Sequence, residues 1–198
     1  RRLGVAELLP YESAGIYYGA SGFEAKGVQD GRAFVVGGGI AAWARGGPPT
    51  EHDIDFLIHE ADMERALESC AAAGMRTETP PEGWLVKAWD GDVLVDLIYR
   101  PTGLQVDDAF AAAEVLNVHA IPMPVLAVDD LMTTKLLALT EHNLDYAPLL
   151  EYARSLREQI NWHSLRERVD GSPFARAFLT LVEELGVCTW HEGRTAGA

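Results

Sequence analysis

Two aspartates separated by a single residue open an apolar segment in the first third of the chain. Asp53 and Asp55 flank Ile54 in the stretch DIDFLI. If this stretch is a strand, residues two apart point to the same face, so the two carboxylates project together. Neighbouring ionised carboxylates repel each other and are costly to bury. A hard divalent cation such as Mg²⁺ (or Mn²⁺) removes that cost, which makes the pair a candidate metal site.

A third aspartate lies in a second apolar segment further along the chain. Asp96 stands inside VLVDLIY, where its neighbours are apolar. A strand of this composition is expected in the interior of a sheet, and a lone carboxylate there needs a partner. A position beside Asp53 and Asp55 would supply one through a shared cation. We therefore predict that all three aspartates are metal ligands and catalytic residues.

Three glycines join a short apolar run to the start of a helical segment before the first aspartate. Gly37, Gly38 and Gly39 follow AFVV and precede IAAWAR. Backbone without side chains allows phosphate groups to approach, and N–H groups at the start of a helix can bind them. A phosphate-binding loop next to metal-binding carboxylates predicts a site for a nucleoside triphosphate (NTP).

The ordered set of these features resembles the signature of the nucleotidyltransferase superfamily that includes DNA polymerase β. That signature is a pair of small residues, a spacer, Asp-x-Asp and a later acid on another strand. Here the pair is Gly38-Gly39 and the spacer is residues 40–52. The resemblance implies Mg²⁺-dependent transfer of a nucleotide from an NTP to an acceptor hydroxyl. It also implies nucleotide-binding roles for Arg45 and Thr50 in the spacer.

A later segment, VDDLMTTKLLALTEHNLDYAPL at residues 128–149, extends the resemblance. It is similar to a segment of the bacterial AbiEii and MenT toxin nucleotidyltransferases, in which a helical lysine and a downstream aspartate belong to the active site. The corresponding residues are Lys135, expected to act in catalysis and nucleotide binding, and Asp145, expected to bind nucleotide. The resemblance implies transfer to the 3′ end of tRNA, and hence tRNA and a cognate antitoxin as partners.

Two alternatives remain for the function. The net charge of −14 suits a small cationic acceptor, such as an antibiotic, better than it suits RNA. The second alternative is a dinucleotide-binding domain, because Gly37, Gly39 and Ala42 fit the fingerprint GxGxxG/A. The turn residues at 46–49 (GGPP) end the following helix early, which argues against that alternative.

These residues must be positioned by helices and strands. The predicted helices and strands, together with the resemblance, indicate an α+β fold with a nucleotidyltransferase-type mixed sheet, flanking helices and a C-terminal helical bundle. We expect two domains, residues 1–128 and residues 129–198, because the pattern becomes wholly helical after 128. Strands are predicted at 33–37, 54–58, 84–89 and 92–99, the last two forming a hairpin at Asp90-Gly91, and a β-like region surrounds Pro122 and Pro124. Helices are predicted at 3–20, 61–73, 107–113, 131–141, 145–158, 162–169 and 173–185.

The overall composition is that of an ordinary soluble globular protein, with 48% hydrophobic and 23% charged residues. No apolar run reaches the length of a transmembrane helix. Cys70 and Cys188 have no CxxC or Cys/His spacing, which argues against a structural zinc site and favours the reducing cytoplasm.

Overall fold

The computed structural model describes residues 34–50, 53–118 and 121–188, which form seven strands and seven α-helices. The strands are β1 (Val35–Val36), β2 (Ile54–Leu57), β3 (Arg76–Glu78), β4 (Leu85–Asp90), β5 (Val93–Ile98), β6 (Glu114–Val118) and β7 (Ile121–Val125). The helices are α1 (Gly38–Ala44), α2 (Met63–Ala72), α3 (Val106–Ala112), α4 (Val128–Leu137), α5 (Ala147–Ser155), α6 (Trp162–Val169) and α7 (Pro173–Glu184). The helix predicted at 3–20 lies outside the described residues.

All seven strands belong to one mixed sheet in the order β3-β4-β5-β2-β1-β7-β6. Strand β2 lies in the middle, parallel to β5 on one side and antiparallel to β1 on the other. Strand β1 is parallel to β7, and β7 forms an antiparallel pair with β6. The two predicted acidic strands, β2 and β5, are therefore direct neighbours in the interior of the sheet.

The hairpin that carries Asp96 forms as predicted, but its turn lies one residue further along the chain. Asp90 pairs with Val93 in the β4–β5 ladder, so the two turn residues are Gly91 and Asp92. Gly91 has a φ of 59°, a left-handed conformation that glycine adopts without steric cost. The prediction of an Asp90-Gly91 turn was wrong by one position, because Gly91 belongs to a two-residue turn in either register and the glycine alone does not fix which neighbour shares the turn.

Other elements differ from the sequence-based prediction mainly at their ends. Strand β3 was missed, since RTE has no apolar alternation and its outer residues are exposed. The proline-containing region is β7, and it pairs along its whole length with β6. Helix α4 begins three residues before the predicted start at 131 and ends at Leu137 rather than 141.

One hydrophobic core joins the sheet to the C-terminal helices. It includes Val36 and Phe56 of the sheet together with Leu136 of α4 and Phe178 of α7. Helix α4 also packs on α1 and on α5, α6 and α7. The core therefore continues across residue 128, and the division into two domains stays a prediction. Among the described helices, none combines the length and the apolar composition that crossing a bilayer requires.

Candidate active site

The centre of the candidate site is a pair of aspartates on the two neighbouring parallel strands β2 and β5. Asp55 is the register partner of Asp96. Register partners on adjacent strands lie about 4.8 Å apart along the hydrogen-bonding direction and point to the same face. Asp53 comes two residues before Asp55, immediately before β2, and is exposed. The structure thus brings Asp55 and Asp96 side by side on one face of the sheet.

Electrostatics show that further charged groups converge on Asp55. The surroundings of Asp55 together raise its pKa from 3.8 to about 6, and burial is the largest cause. The negative charges of Asp96 and Asp53 contribute to the rise, whereas the positive charges of Lys135 and Lys87 act against it. A half-buried carboxylate under these influences is poised to bind a cation, because a cation favours the ionised form.

The predicted glycine loop lies directly against Asp55. The Gly37 amide donates a hydrogen bond to the Asp55 carbonyl oxygen at 2.8 Å. Gly38, the first residue of α1, has a φ of 54°, and a Cβ atom there would overlap the Oδ2 atom of Asp55. A Cβ at Gly39 would overlap the hydroxyl of Thr50. The absence of side chains at Gly38 and Gly39 is therefore what lets Asp55 and Thr50 approach the start of the helix.

Lys135 reaches the same region from helix α4. Burial lowers the pKa of Lys135, and the negative charge of Asp55 counteracts that change. The Lys135 Nζ atom lies 5.4 Å from the ring centroid of Tyr152 on α5. The pKa of the Tyr152 phenol is raised by burial and then by Asp55, which places this ring beside the carboxylate as well. Sequence reasoning missed Tyr152, because only the packing of α5 against α4 brings it here.

Lys87 is a second residue that sequence reasoning missed. It lies on β4 opposite Asp96, and its Nζ atom is 2.7 Å from Asp96 Oδ1. The two side chains are 25% and 13% exposed. Counting outward from the observed turn at Gly91-Asp92 pairs residue 87 with residue 96, so a correct prediction of the turn would have identified Lys87.

The structure does not bring Arg45 to the carboxylates. Arg45 follows the last residue of α1, so it stands at the opposite end of that helix from Gly38. Its guanidinium donates to the Leu126 carbonyl oxygen at 2.8 Å and to Glu114 Oε2 at 3.0 Å. These bonds fasten α1 to the β6–β7 hairpin, and the side chain is 5% exposed. In the structure Arg45 has a structural role, and its predicted contact with nucleotide stays a prediction.

Asp145 likewise has a local role in the structure. This exposed residue precedes α5, and its Oδ1 atom accepts a hydrogen bond from the Ala147 amide at 2.9 Å. A carboxylate that accepts from a first-turn N–H group stabilises the start of a helix. The predicted contact between Asp145 and nucleotide stays a prediction.

The dinucleotide-binding alternative is not compatible with the topology. A dinucleotide-binding unit needs two parallel strands joined by a crossover helix. Here β1 and β2 are antiparallel, and α1 between them has seven residues. That alternative is therefore wrong for this glycine loop.

The chemistry of the donor set fits a hard divalent cation at Asp53 and Asp55. Within the described residues, no three Asp, Glu, His or Cys side chains are close enough together to form a metal-ligand group. One oxygen of Asp96 instead contacts the Lys87 ammonium. Mg²⁺ commonly binds through one or two carboxylates plus substrate phosphates, so two carboxylates suffice. A ligand role for Asp96 stays a prediction.

The chain matches no family model and no curated protein, but it is similar to solved structures. One is the crystal structure of ANT(2″)-Ia in complex with adenylyl-2″-tobramycin, with 15% identity and a TM-score of 0.54 over 75% of this chain and 88% of that one. Another is the solution structure of the antibiotic-resistance factor ANT(2″)-Ia, with 16% identity and a TM-score of 0.55 over 93% of this chain and 97% of that one. The likeness confirms the predicted fold class, a nucleotidyltransferase-type α+β fold with a mixed sheet.

Proposed function

We propose that this protein is a metal-dependent nucleotidyltransferase that moves a nucleoside monophosphate from an NTP to a hydroxyl of a small cationic molecule. The observation that carries the proposal is the register pairing of Asp55 with Asp96 next to the glycine loop. That position combines two carboxylates of the sheet, the glycine loop against Asp55 and a half-buried lysine of helix α4.

Each residue near Asp55 has a role in this proposal. Asp53 and Asp55 would hold Mg²⁺, which supplies charge neutralisation to the triphosphate when bound. The absence of Cβ atoms at Gly38 and Gly39 lets Asp55 and Thr50 lie against the start of α1, where we propose that the triphosphate binds. Lys135 adds a positive charge on the side of α4 and α5.

The proposed reaction is a displacement at the α-phosphorus of the NTP. The acceptor hydroxyl oxygen forms a new bond to the α-phosphorus, and the bond from that phosphorus to the oxygen bridging to the β-phosphorus breaks. Pyrophosphate leaves, and the hydroxyl proton passes to the Asp96 carboxylate. The residues contribute mainly positioning and charge complementarity, as is general in phosphoryl transfer.

Two observations support a small cationic acceptor. The net charge of −14 attracts cations and repels the phosphates of a nucleic acid. The structural neighbours are an antibiotic-resistance factor, one of them holding an adenylylated tobramycin. An aminoglycoside is the class of molecule that combines several ammonium groups with hydroxyls that can accept a nucleotide.

A second candidate acceptor is the 3′ end of tRNA, with a cognate antitoxin as a protein partner. It is favoured by the segment at 128–149, which resembles the toxin nucleotidyltransferases and delivers Lys135 to the vicinity of Asp55. The two candidates share the site and the reaction, and they differ in the acceptor alone.

Transfer of label from NTPs labelled at the α-phosphate tests the proposal. The protein is incubated with Mg²⁺ and each NTP, in one series with a panel of aminoglycosides and in another with total tRNA. We expect label in an aminoglycoside product, seen by thin-layer chromatography, together with release of pyrophosphate. Label in the tRNA band and in no aminoglycoside would favour the second candidate.

Two variants make the result specific to the site. Asp55→Asn removes the central carboxylate, and we expect transfer to fall at least about 100-fold. Asp92→Asn removes an exposed carboxylate from the turn at the far end of the same hairpin, so activity should stay unchanged. Equal activity in wild type and Asp55→Asn, or transfer to neither acceptor class from any NTP, would overturn the proposal.

A further inference from the structure

A row of three charged residues crosses three adjacent strands at one level of the sheet. Lys87 on β4 is the register partner of Asp96, and Asp96 on β5 is the register partner of Asp55 on β2. Partners in a ladder point to the same face, so the sequence of charges across the sheet is positive, negative, negative. The row runs from the edge of the candidate site to its centre.

Asp96 is already neutralised by a side chain of the protein itself. The Lys87 Nζ atom lies 2.7 Å from Asp96 Oδ1, a charge-assisted hydrogen bond of normal length. A dication bound to Asp96 would face this ammonium across the carboxylate, and like charges at such short range strongly disfavour each other. Asp55 makes no comparable contact with Lys87. The charge of Lys87 lowers the pKa of Asp55 through space, and its effect is weaker than the effects of Lys135, Asp96 and Asp53.

We propose that Lys87 is a positioning residue of this site and that its ammonium occupies the place of a second metal ion at Asp96. In this arrangement Asp53 and Asp55 bind the single metal ion. Asp96 is held by Lys87 with its second oxygen directed to the acceptor side. This inference rests on the proposed function, whose active site it describes in more detail.

The alternative is that Lys87 merely stabilises the sheet while Asp96 ligates the metal ion. The two cases differ in how metal affinity responds to a pair of substitutions that keep the net charge. Lys87→Met combined with Asp96→Asn removes one positive and one negative charge and leaves similar shapes. If Asp96 is a ligand, this double variant loses metal affinity; if Lys87 replaces a metal ion, affinity is retained.

Binding of Mn²⁺ alone, measured by electron paramagnetic resonance of the free ion, provides the test. We expect the double variant to bind Mn²⁺ within about threefold of wild type. Lys87→Met alone exposes the Asp96 carboxylate beside Asp55 and should bind Mn²⁺ at least about tenfold more tightly. Lys87→Arg keeps the charge and should bind Mn²⁺ as wild type does. Circular dichroism on each variant establishes that it is folded.

Two results would overturn the inference. One is a loss of affinity of tenfold or more in the double variant, which would make Asp96 a ligand. The other is a Lys87→Met protein that binds Mn²⁺ no more tightly than wild type. The nucleotide-transfer assay on wild type is separate from these measurements. If the wild-type protein transfers nucleotide and either result is obtained, only the inferred role of Lys87 is rejected. If the wild-type protein transfers no nucleotide, the proposed function is rejected.

Discussion

The sheet and the helical region each place two aspartates almost next to each other in sequence, but they use them in opposite ways. In α4, Asp129 and Asp130 are adjacent residues of the first helical turn. Adjacent helical residues point about 100° apart, so each finds its own partner. Asp129 accepts from the Asn161 amide at 2.9 Å, and Asp130 pairs with Arg168 at 2.5 Å.

In the sheet, the register of β2 and β5 places two carboxylates side by side instead. Asp55 lies beside Asp96, and no hydrogen bond from a basic side chain comparable to the Arg168–Asp130 bond reaches Asp55 within the described residues. Its pKa is raised to about 6, first by burial. Burial also raises the pKa of Asp129, and the Asn161 amide and Arg168 act against the rise there, as Lys135 and Lys87 do at Asp55.

The acids of the helical region stabilise the fold, whereas Asp55 of the sheet is kept at a cost to its stability. Asp129 and Asp130 connect α4 to α6 through satisfied hydrogen bonds. The Asp55 side chain receives no such bond within the described residues, and the neighbouring Asp96 carboxylate adds to the rise of its pKa, which is the arrangement expected where a cation binds. We therefore expect substitutions in the two groups of acids to differ in their effects on activity and on stability.

The largest expected effect is on activity. Asp55→Asn should lower nucleotide transfer by roughly three orders of magnitude, because it removes the carboxylate at the centre of the proposed metal site. Asp130→Asn, the matched change in the helical region, should leave transfer by the folded protein unchanged. Initial rates with a labelled NTP at saturating Mg²⁺ measure both. A similar loss in the two variants would contradict the distinction.

Lys135 lies on helix α4 in the helical region, but its positive charge acts on Asp55 of the candidate site. Lys135→Met should lower transfer roughly 100-fold, since a half-buried positive charge near Asp55 is lost. Arg154→Met on α5 is the control, because it removes an exposed positive charge from the neighbouring helix. Steady-state kinetics measures the loss, and equal kinetics in the two variants would place Lys135 outside the site.

The Asp130–Arg168 pair should matter for stability. Asp130→Asn leaves the Arg168 guanidinium without its charged partner, and we expect the free energy of unfolding to fall by about 1–3 kcal/mol. Urea unfolding of Asp130→Asn, Arg168→Met and the double variant measures the coupling between the two residues. Strictly additive effects would mean that the pair contributes no interaction energy.

The sequence allowed the adjacency of Asp55 and Asp96 to be predicted because strand alternation and apolar composition are local signals. The partner of Asp96 was not found, because the predicted turn at Asp90-Gly91 would place Leu85 opposite it. The observed turn at Gly91-Asp92 places Lys87 there. A one-residue shift in a hairpin turn moves the partner by two positions, so an accurate turn is needed before any cross-strand pair can be identified.

Tyr152 and Arg45 could not be placed from sequence for a different reason. Tyr152 reaches Lys135 through the packing of one helix on another, and no local pattern specifies that contact. Arg45 bonds to carbonyl groups of residues 125 and 126, some 80 positions away along the chain. A family resemblance transfers residue types at aligned positions, and it cannot show that a guanidinium already bonds to the protein's own carbonyl groups and to Glu114.

The smallest expected effect is the dependence of stability on pH through Asp55. Its pKa is 3.8 in the unfolded chain and about 6 in the folded protein. Between about pH 4 and pH 6 the folded state therefore binds more protons than the unfolded state, so the free energy of unfolding falls as pH rises. The full linkage is at most roughly 3 kcal/mol. Asp55→Asn removes this penalty, but it also deprives buried Lys135 of its counter-charge.

We therefore expect Asp55→Asn to be more stable than wild type by about 1–2 kcal/mol at pH 7 in the presence of EDTA, with the difference vanishing near pH 4. Urea unfolding of both proteins at pH 4, 5, 6 and 7 measures this, and Asp92→Asn serves as the control. A difference that is constant over this range would show that Asp55 is not strained by its surroundings. In that case the contrast with Asp129 and Asp130 would rest on activity alone, because ionised Asp55 would cost the fold nothing.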